Sequence, residues 1–298
     1  MRVFSTILLI LTSLFLCALA VPGRAVAGTA DRFFTTSDGV RLHYTDAGAS
    51  RPGAPILVFV PGWTMPGWIF QLQIDAFIRR YRVVVLDPRG QGSSDVPAAG
   101  YTYDRRGDDI AELVQRLFPQ GAARQPVVLV GWSLGVLDSL AYVHAHGDMA
   151  LAGLVLIDNS VGEDPPPAPP RQPYRKAPRQ THENFMASFV RSMFKRPQPP
   201  AYLQQLVAAA LRTPEPAANA LLGYKVPRTY WKEAVYATAK PVLYVVRPGF
   251  SGQASNLAAH HPAAETLVMA DIGHALFVDD APRFNTVLQS FLSRRVGG

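Results

Sequence analysis

Val127-Val128-Leu129-Val130-Gly131-Trp132-Ser133-Leu134-Gly135 is the stretch whose reading decides the fold. An aliphatic run made mostly of valine reads as a strand buried on both faces. From Gly135 to His146 the apolar residues recur at helical spacing, so a strand passes into a helix across G-x-S-x-G. A side chain at either glycine of so tight a turn would collide with the adjoining strand or helix. The serine is left at the exposed tip. Behind it, the backbone N–H of Leu134 opens the helix and faces the place where an oxyanion would develop.

Outward from this turn, short Val/Ile/Leu runs alternate with helical patterns. Ile56 to Val60, Val83 to Leu86, Leu154 to Ile157, Val242 to Val246 and Thr266 to Met269 are predicted as further buried strands. Trp68 to Ile78, Asp104 to Leu117, Gly135 to His146 and Ala281 to Ser293 are predicted as helices, the last opened by Asp280 and Pro282. Phe33 to Thr36 and Val40 to Tyr44 flank Ser37-Asp38-Gly39, a hairpin signal. The pattern predicts an α/β fold: a mostly parallel central sheet, opened by an antiparallel hairpin and flanked by helices.

Residues 163–239 interrupt the alternation. Asp164-Pro165-Pro166-Pro167-Ala168-Pro169-Pro170 can neither donate to a sheet nor continue a helix, so it reads as an extended connector. Two amphipathic helices follow, one with Phe185, Met186, Phe189 and Met193 on a face and one with Leu203, Leu206, Val207 and Leu211. Such an insertion after the strand ending at Asp158 is expected to roof a substrate pocket as a lid; the alternative is plain stabilising packing.

Residues 1–27 read as a targeting segment: Arg2 precedes an apolar run from Ile7 to Val21, and Ala25-Val26-Ala27 offers a cleavage site. Ala18-Leu19-Ala20 is an earlier option, and an uncleaved anchor is the alternative. Export to the periplasm or exterior is the expectation. The single cysteine, Cys17, lies in this segment and excludes a disulfide framework, a cysteine zinc cluster and a CxxC redox motif.

From about Phe33 onward the sequence resembles the α/β-hydrolase superfamily. The turn at Gly131 to Gly135 matches the family's nucleophile elbow. Val60-Pro61-Gly62-Trp63 resembles its oxyanion turn, with Pro61 in place of the usual histidine; Trp68 and Gln71 also sit where members often have them. Asp87-Pro88-Arg89-Gly90-Gln91-Gly92-Ser93-Ser94 matches the D-x-R-G-x-G-x-S loop. Gly273-His274-Ala275-Leu276-Phe277-Val278-Asp279-Asp280-Ala281-Pro282 resembles the catalytic-histidine loop. The resemblance implies the α/β-hydrolase fold and a serine esterase, or the related cofactor-free haloperoxidase and perhydrolase chemistry. A non-catalytic binding protein on the same fold is a third reading.

A serine hydroxyl needs a base within hydrogen-bond reach and a carboxylate to orient that base. His274, in the Gly-His loop after the last strand, is the expected base for Ser133. Members commonly place the acid after the strand corresponding to Val242–Val246, but Arg247-Pro248-Gly249-Phe250-Ser251-Gly252-Gln253 has no carboxylate. Asp158, at the end of the preceding strand, is therefore the expected acid, with capping of the loop as its alternative role. Glu163 and Asp164 are weaker candidates, and Asp271 stands too near His274 in sequence. The oxyanion donors are expected from the backbone N–H groups of Trp63 and Leu134, and an apolar acyl pocket from Trp68, Trp132, Phe185 and Phe189. No metal or organic cofactor is expected, and His144 and His146, two apart on a helix, make a poor metal pair.

With 29 Lys plus Arg against 22 Asp plus Glu the chain carries +7, which invites a nucleic-acid or membrane-surface reading. The excess is concentrated in residues 163–239, with eleven basic residues against five acidic ones, leaving the remainder about neutral. The expected partners are a small ester or lactone, with attraction of the basic insertion to anionic surfaces, and no nucleic acid.

Overall fold

The structure is a computed structural model that describes residues 28–118, 125–166, 181–223 and 226–297. Among them, the strands are β1 (Thr29–Thr35), β2 (Arg41–Ala47), β3 (Ile56–Val60), β4 (Arg82–Asp87), β5 (Val127–Trp132), β6 (Leu151–Ile157), β7 (Val242–Val246) and β8 (Ala264–Val268). They form one sheet in the order β1-β2-β4-β3-β5-β6-β7-β8. Pairing is antiparallel for β1–β2 and β2–β4 and parallel from β4 to β8. The predicted hairpin and the parallel sheet are therefore both present. The run from β3 through β7 is buried along almost its whole length, as strands covered on both faces must be.

The helices are α1 (Gln71–Phe77), α2 (Tyr103–Arg116), α3 (Leu134–His146), α4 (His182–Ser192), α5 (Pro200–Leu211), α6 (Glu215–Leu221), α7 (Arg228–Ala237), α8 (Ser251–His260), α9 (Leu276–Asp279) and α10 (Ala281–Phe291). α1 is shorter than predicted because Gly67–Phe70 forms a separate 3-10 turn before it. α10 starts at the predicted residue, yet Asp280 makes no side-chain cap and its carboxylate takes Arg196 at 3.0 Å instead. β8 begins two residues earlier than predicted. As the edge strand it is only partly buried, so its apolar residues mark the boundary weakly. The helices α4 to α7 fill the interval between β6 and β7 where the insertion was read. On α4 and just beyond it, Met186, Val190 and Met193 are buried, whereas Phe185 is 45% exposed. Residues 1–27 and most of the Pro-rich connector lie outside the described residues. No helix among the described residues is long and apolar enough to cross a membrane.

Candidate active site

The elbow closes as tightly as its glycines require. A Cβ on Gly131 would stand 2.3 Å from the Gly135 carbonyl oxygen, and one on Gly135 would stand 2.2 Å from that of Val60. Ser133 itself has φ +54°, a strained value for a residue with a side chain. Its N–H donates to Ile157 O at 2.9 Å, and its carbonyl accepts from Asn159 Nδ2 at 2.9 Å, so β6 holds the turn from the side. Asp158 repeats the device at the end of β6, with φ +52° and its N–H on Val245 O at 2.9 Å. The two strained residues stand at the carboxyl edge of neighbouring parallel strands, where open α/β sheets gather their ligands.

His274 joins them. Its Nε2 is 2.8 Å from Ser133 Oγ and its Nδ1 is 2.6 Å from Asp158 Oδ2, so hydroxyl, imidazole and carboxylate form one continuous chain. The Asp158 side chain is fully buried. Burial alone would push its carboxyl up; the hydrogen bond from His274, with the charges of His274 and Arg247, outweighs burial and holds it below the ordinary carboxylate range. The other acids considered are engaged elsewhere. Glu163 meets Lys232 Nζ at 2.8 Å and accepts from Tyr236, while Asp271 points into solvent against Lys195.

The loop carrying His274 is tied down from two sides. Trp132 is 1% exposed, its Nε1 donates to His274 O at 2.9 Å and its ring meets Phe277 edge-on at 5.1 Å. Trp132, expected as a pocket wall, thus packs beneath the histidine loop and supports it. On the other side Asp279 Oδ2 accepts from Gly273 N at 2.8 Å and from Lys195 N at 2.7 Å, and Ala275 N donates to Met193 O at 2.9 Å. These bonds join the histidine loop to the segment between α4 and α5. Asp279 had no signal in the sequence beyond its place in the His274 motif.

Trp63 follows β3. A Cβ on its neighbour Gly62 would stand 2.9 Å from Ser133 Cβ, so this turn lies directly against the serine. Among the described residues no acceptor takes the Trp63 N–H, and Leu134, as the first residue of α3, has no intrahelical acceptor for its own. The turn is set from behind by the D-x-R-G-x-G-x-S loop. Gln91 Oε1 accepts from Thr64 N at 2.5 Å, and Asp87 accepts from Gly67 N, Ser93 N and His43. Gly92 is required there, since a Cβ would lie 2.1 Å from the Asp87 carboxyl carbon. Arg89, with no exposed surface, is bound by Asp109 and Asp38.

The Trp63 indole donates to Ala218 O at 2.7 Å and meets Phe189 and Phe185 edge-on at 5.1 and 6.2 Å. Trp68 instead packs on Tyr202 of α5 at 5.8 Å. The aromatic residues named from the sequence therefore divide: Trp63, Phe185 and Phe189 form one cluster beside the serine turn, and Trp68 belongs to a second contact with the insertion. His146 pairs with Asp108 at 2.9 Å and His144 stacks near Tyr230, so neither faces the site.

Residues 57–287 match the Alpha/beta hydrolase family. The chain belongs to this family. Among curated relatives, a non-heme chloroperoxidase, CPO-A1, of Kitasatospora aureofaciens is 36% identical over 124 residues, which are 41% of this chain and 42% of that one. A bifunctional esterase/perhydrolase of Acinetobacter calcoaceticus is 35% identical over 126 residues, 42% and 43% of the two chains. These alignments span less than half of the curated relatives' lengths. A solved structure of a candidate aryl esterase from Burkholderia cenocepacia superposes with TM-score 0.74 at 27% identity, covering 89% of this chain and 98% of that one. Within the α/β-hydrolase family, the departure read from the sequence is now physical. The residue after β7, where members commonly carry an acid, is Arg247, and its Nε donates to Asp158 Oδ2 at 2.5 Å.

Proposed function

We propose that the chain is an exported serine hydrolase of carboxylic esters or lactones, with Ser133 as nucleophile, His274 as base and Asp158 as the orienting acid. The observation that carries this reading is the unbroken chain from Ser133 Oγ through His274 to Asp158, at 2.8 and 2.6 Å. In the first step His274 Nε2 takes the Ser133 proton as Oγ attacks the acyl carbonyl. The tetrahedral oxyanion is held by the N–H groups of Trp63 and Leu134, fixed dipoles that need no reorganisation. His274 then protonates the leaving group, and water admitted to the site, activated by the same imidazole, releases the acid. Trp63, Phe185 and Phe189 suit an apolar acyl chain, and the helical insertion is read as the lid above it. The concentration of basic residues in that insertion supports attraction to anionic envelope surfaces or acidic substrates. Residues 1–27 support export by their leader pattern.

A panel of p-nitrophenyl esters and aliphatic or homoserine lactones, run on the protein and on Ser133→Ala, tests the reading. Parallel loss of every activity in the variant is expected; activity that survives it places the chemistry elsewhere. The likeness to an esterase/perhydrolase favours a second reading, peracid formation at the same serine. Assay with hydrogen peroxide and acetate separates the two. Absence of hydrolysis, with no fluorophosphonate adduct on Ser133 of the folded protein, would favour the third reading, a binding protein on this fold.

A further inference from the structure

Arg247 is the first residue beyond β7, in the position from which an acid would ordinarily reach the histidine. In the parallel register of β6 and β7, Ile157 lies opposite Val245, and the Asp158 N–H extends the ladder onto Val245 O. The next donor along β7's backbone is Arg247 N, which meets the Asp158 side chain instead of a carbonyl, at 2.9 Å from Oδ1. The guanidinium folds back over the same carboxylate, with Nε on Oδ2 at 2.5 Å and Nη2 3.3 Å from His274 Nδ1. Both carboxylate oxygens are thus held by one residue, and Oδ2 is shared with the imidazole.

We propose that Arg247 is the positioning residue of the Ser133–His274–Asp158 chain, clamping the Asp158 carboxylate by backbone and guanidinium so that it stays ionised and aimed at Nδ1. This inference rests on the serine-hydrolase reading. The carboxylate needs such a clamp because it is fully buried and sits on a backbone at φ +52°. Burial opposes the charged form, the His274 hydrogen bond and charge favour it, and the charge and backbone N–H of Arg247 add to that support.

The other charged and titratable groups that face the chain are accounted for. Tyr244 on β7, pushed up by burial and then by the Asp158 charge, stays a neutral donor to Asn159 O at 2.7 Å. Asp279 on the histidine loop is taken by backbone N–H groups and Gln198, and Lys195 and Asp271 pair with each other at 2.9 Å in solvent. Among the described residues, Arg247 is the arginine or lysine that touches Asp158.

The test is the pH–rate profile of Arg247→Gln and Arg247→Lys beside the native chain and Ser133→Ala, with a p-nitrophenyl ester. Loss of the cation in Arg247→Gln is expected to move the acid limb of kcat/KM upward by about half to one pH unit, with kcat reduced and KM little changed. Arg247→Lys, which keeps the charge but not the Nε–H, is expected to hold the limb near its native position and restore part of kcat. An acid limb that stays put in a folded Arg247→Gln protein overturns the proposal. If that variant does not fold, a limb displaced in Arg247→Lys by the same amount overturns it too. Activity retained by Ser133→Ala would instead dismiss the serine-hydrolase reading itself, so the two failures are distinct.

Discussion

Asp158 Oδ2 accepts from His274 Nδ1 at 2.6 Å, while Asp158 follows β6 directly, beside β5, the strand that leads into Ser133. Ser133 and Asp158 are therefore neighbours across one strand pair, bridged by a histidine from a distant loop. Replacing Asp158 by Asn keeps the shape but lets the amide nitrogen face Nδ1, which favours the wrong imidazole tautomer. Turnover is expected to fall by roughly 10³ to 10⁴-fold, with the circular dichroism spectrum unchanged. Near-native kcat in Asp158→Asn would move the acid to another carboxylate.

The lowered pKa of Asp158 has a consequence for stability. A carboxyl whose folded value lies below its unfolded value adds stability that is complete above the ordinary value of 3.8 and is lost as the pH falls through the depressed one. The native chain is therefore expected to lose urea stability relative to Asp158→Asn as the pH drops from about 4 downward, the two curves running parallel near neutrality. Denaturation of both proteins at pH 7 and pH 3 checks this, and an unchanged difference contradicts it.

Gly135 answers for the elbow. An alanine Cβ there would meet Val60 O at 2.2 Å, a contact with backbone that no side-chain rotation relieves. Gly135→Ala is expected to cost about 1–3 kcal/mol or more in urea denaturation, with activity lost through displacement of Ser133. Unchanged stability would mean that α3 and β3 approach less closely than described.

Asp279, 5% exposed, holds two segments by accepting from the backbone N–H groups of Gly273 and Lys195. Asp279→Ala orphans the buried Gly273 N, at a cost of about 1–3 kcal/mol, and releases the part-buried Lys195 N. A lower melting temperature is expected, together with a fall in kcat that exceeds any rise in KM, because His274 is one residue from Gly273. A variant altered in KM alone would place the role of Asp279 in the insertion instead of the histidine loop.

Much of this arrangement is legible in the sequence because its requirements are local. A strand running into G-x-S-x-G needs small residues at fixed places, and β3, β5 and β7 are aliphatic enough to mark themselves. Asp158 stands out in the sequence through an absence, the missing carboxylate after β7, combined with its place beyond a strand end, and it does meet His274. What stayed hidden depends on neighbours distant in the chain. The grip of Arg247 on Asp158 exists only in the register of β6 against β7. α6, α7 and α8 were not predicted because each buries only three residues: Ala217, Ala218 and Leu221 on α6, Trp231, Ala234 and Val235 on α7, and Gln253, Ala254 and Leu257 on α8. Trp132 reads as a pocket aromatic beside the serine, yet alternation along β5 turns it the other way, beneath His274.

The proposed chemistry depends on activation of Ser133 as a nucleophile by His274. Incubation of the folded chain with a fluorophosphonate, followed by peptide mass spectrometry, tests it most directly. One covalent adduct on Ser133 is expected, absent in Ser133→Ala and formed far more slowly in His274→Ala; a folded protein that takes no adduct there, or is labelled equally fast without His274, would contradict activation of Ser133 by His274.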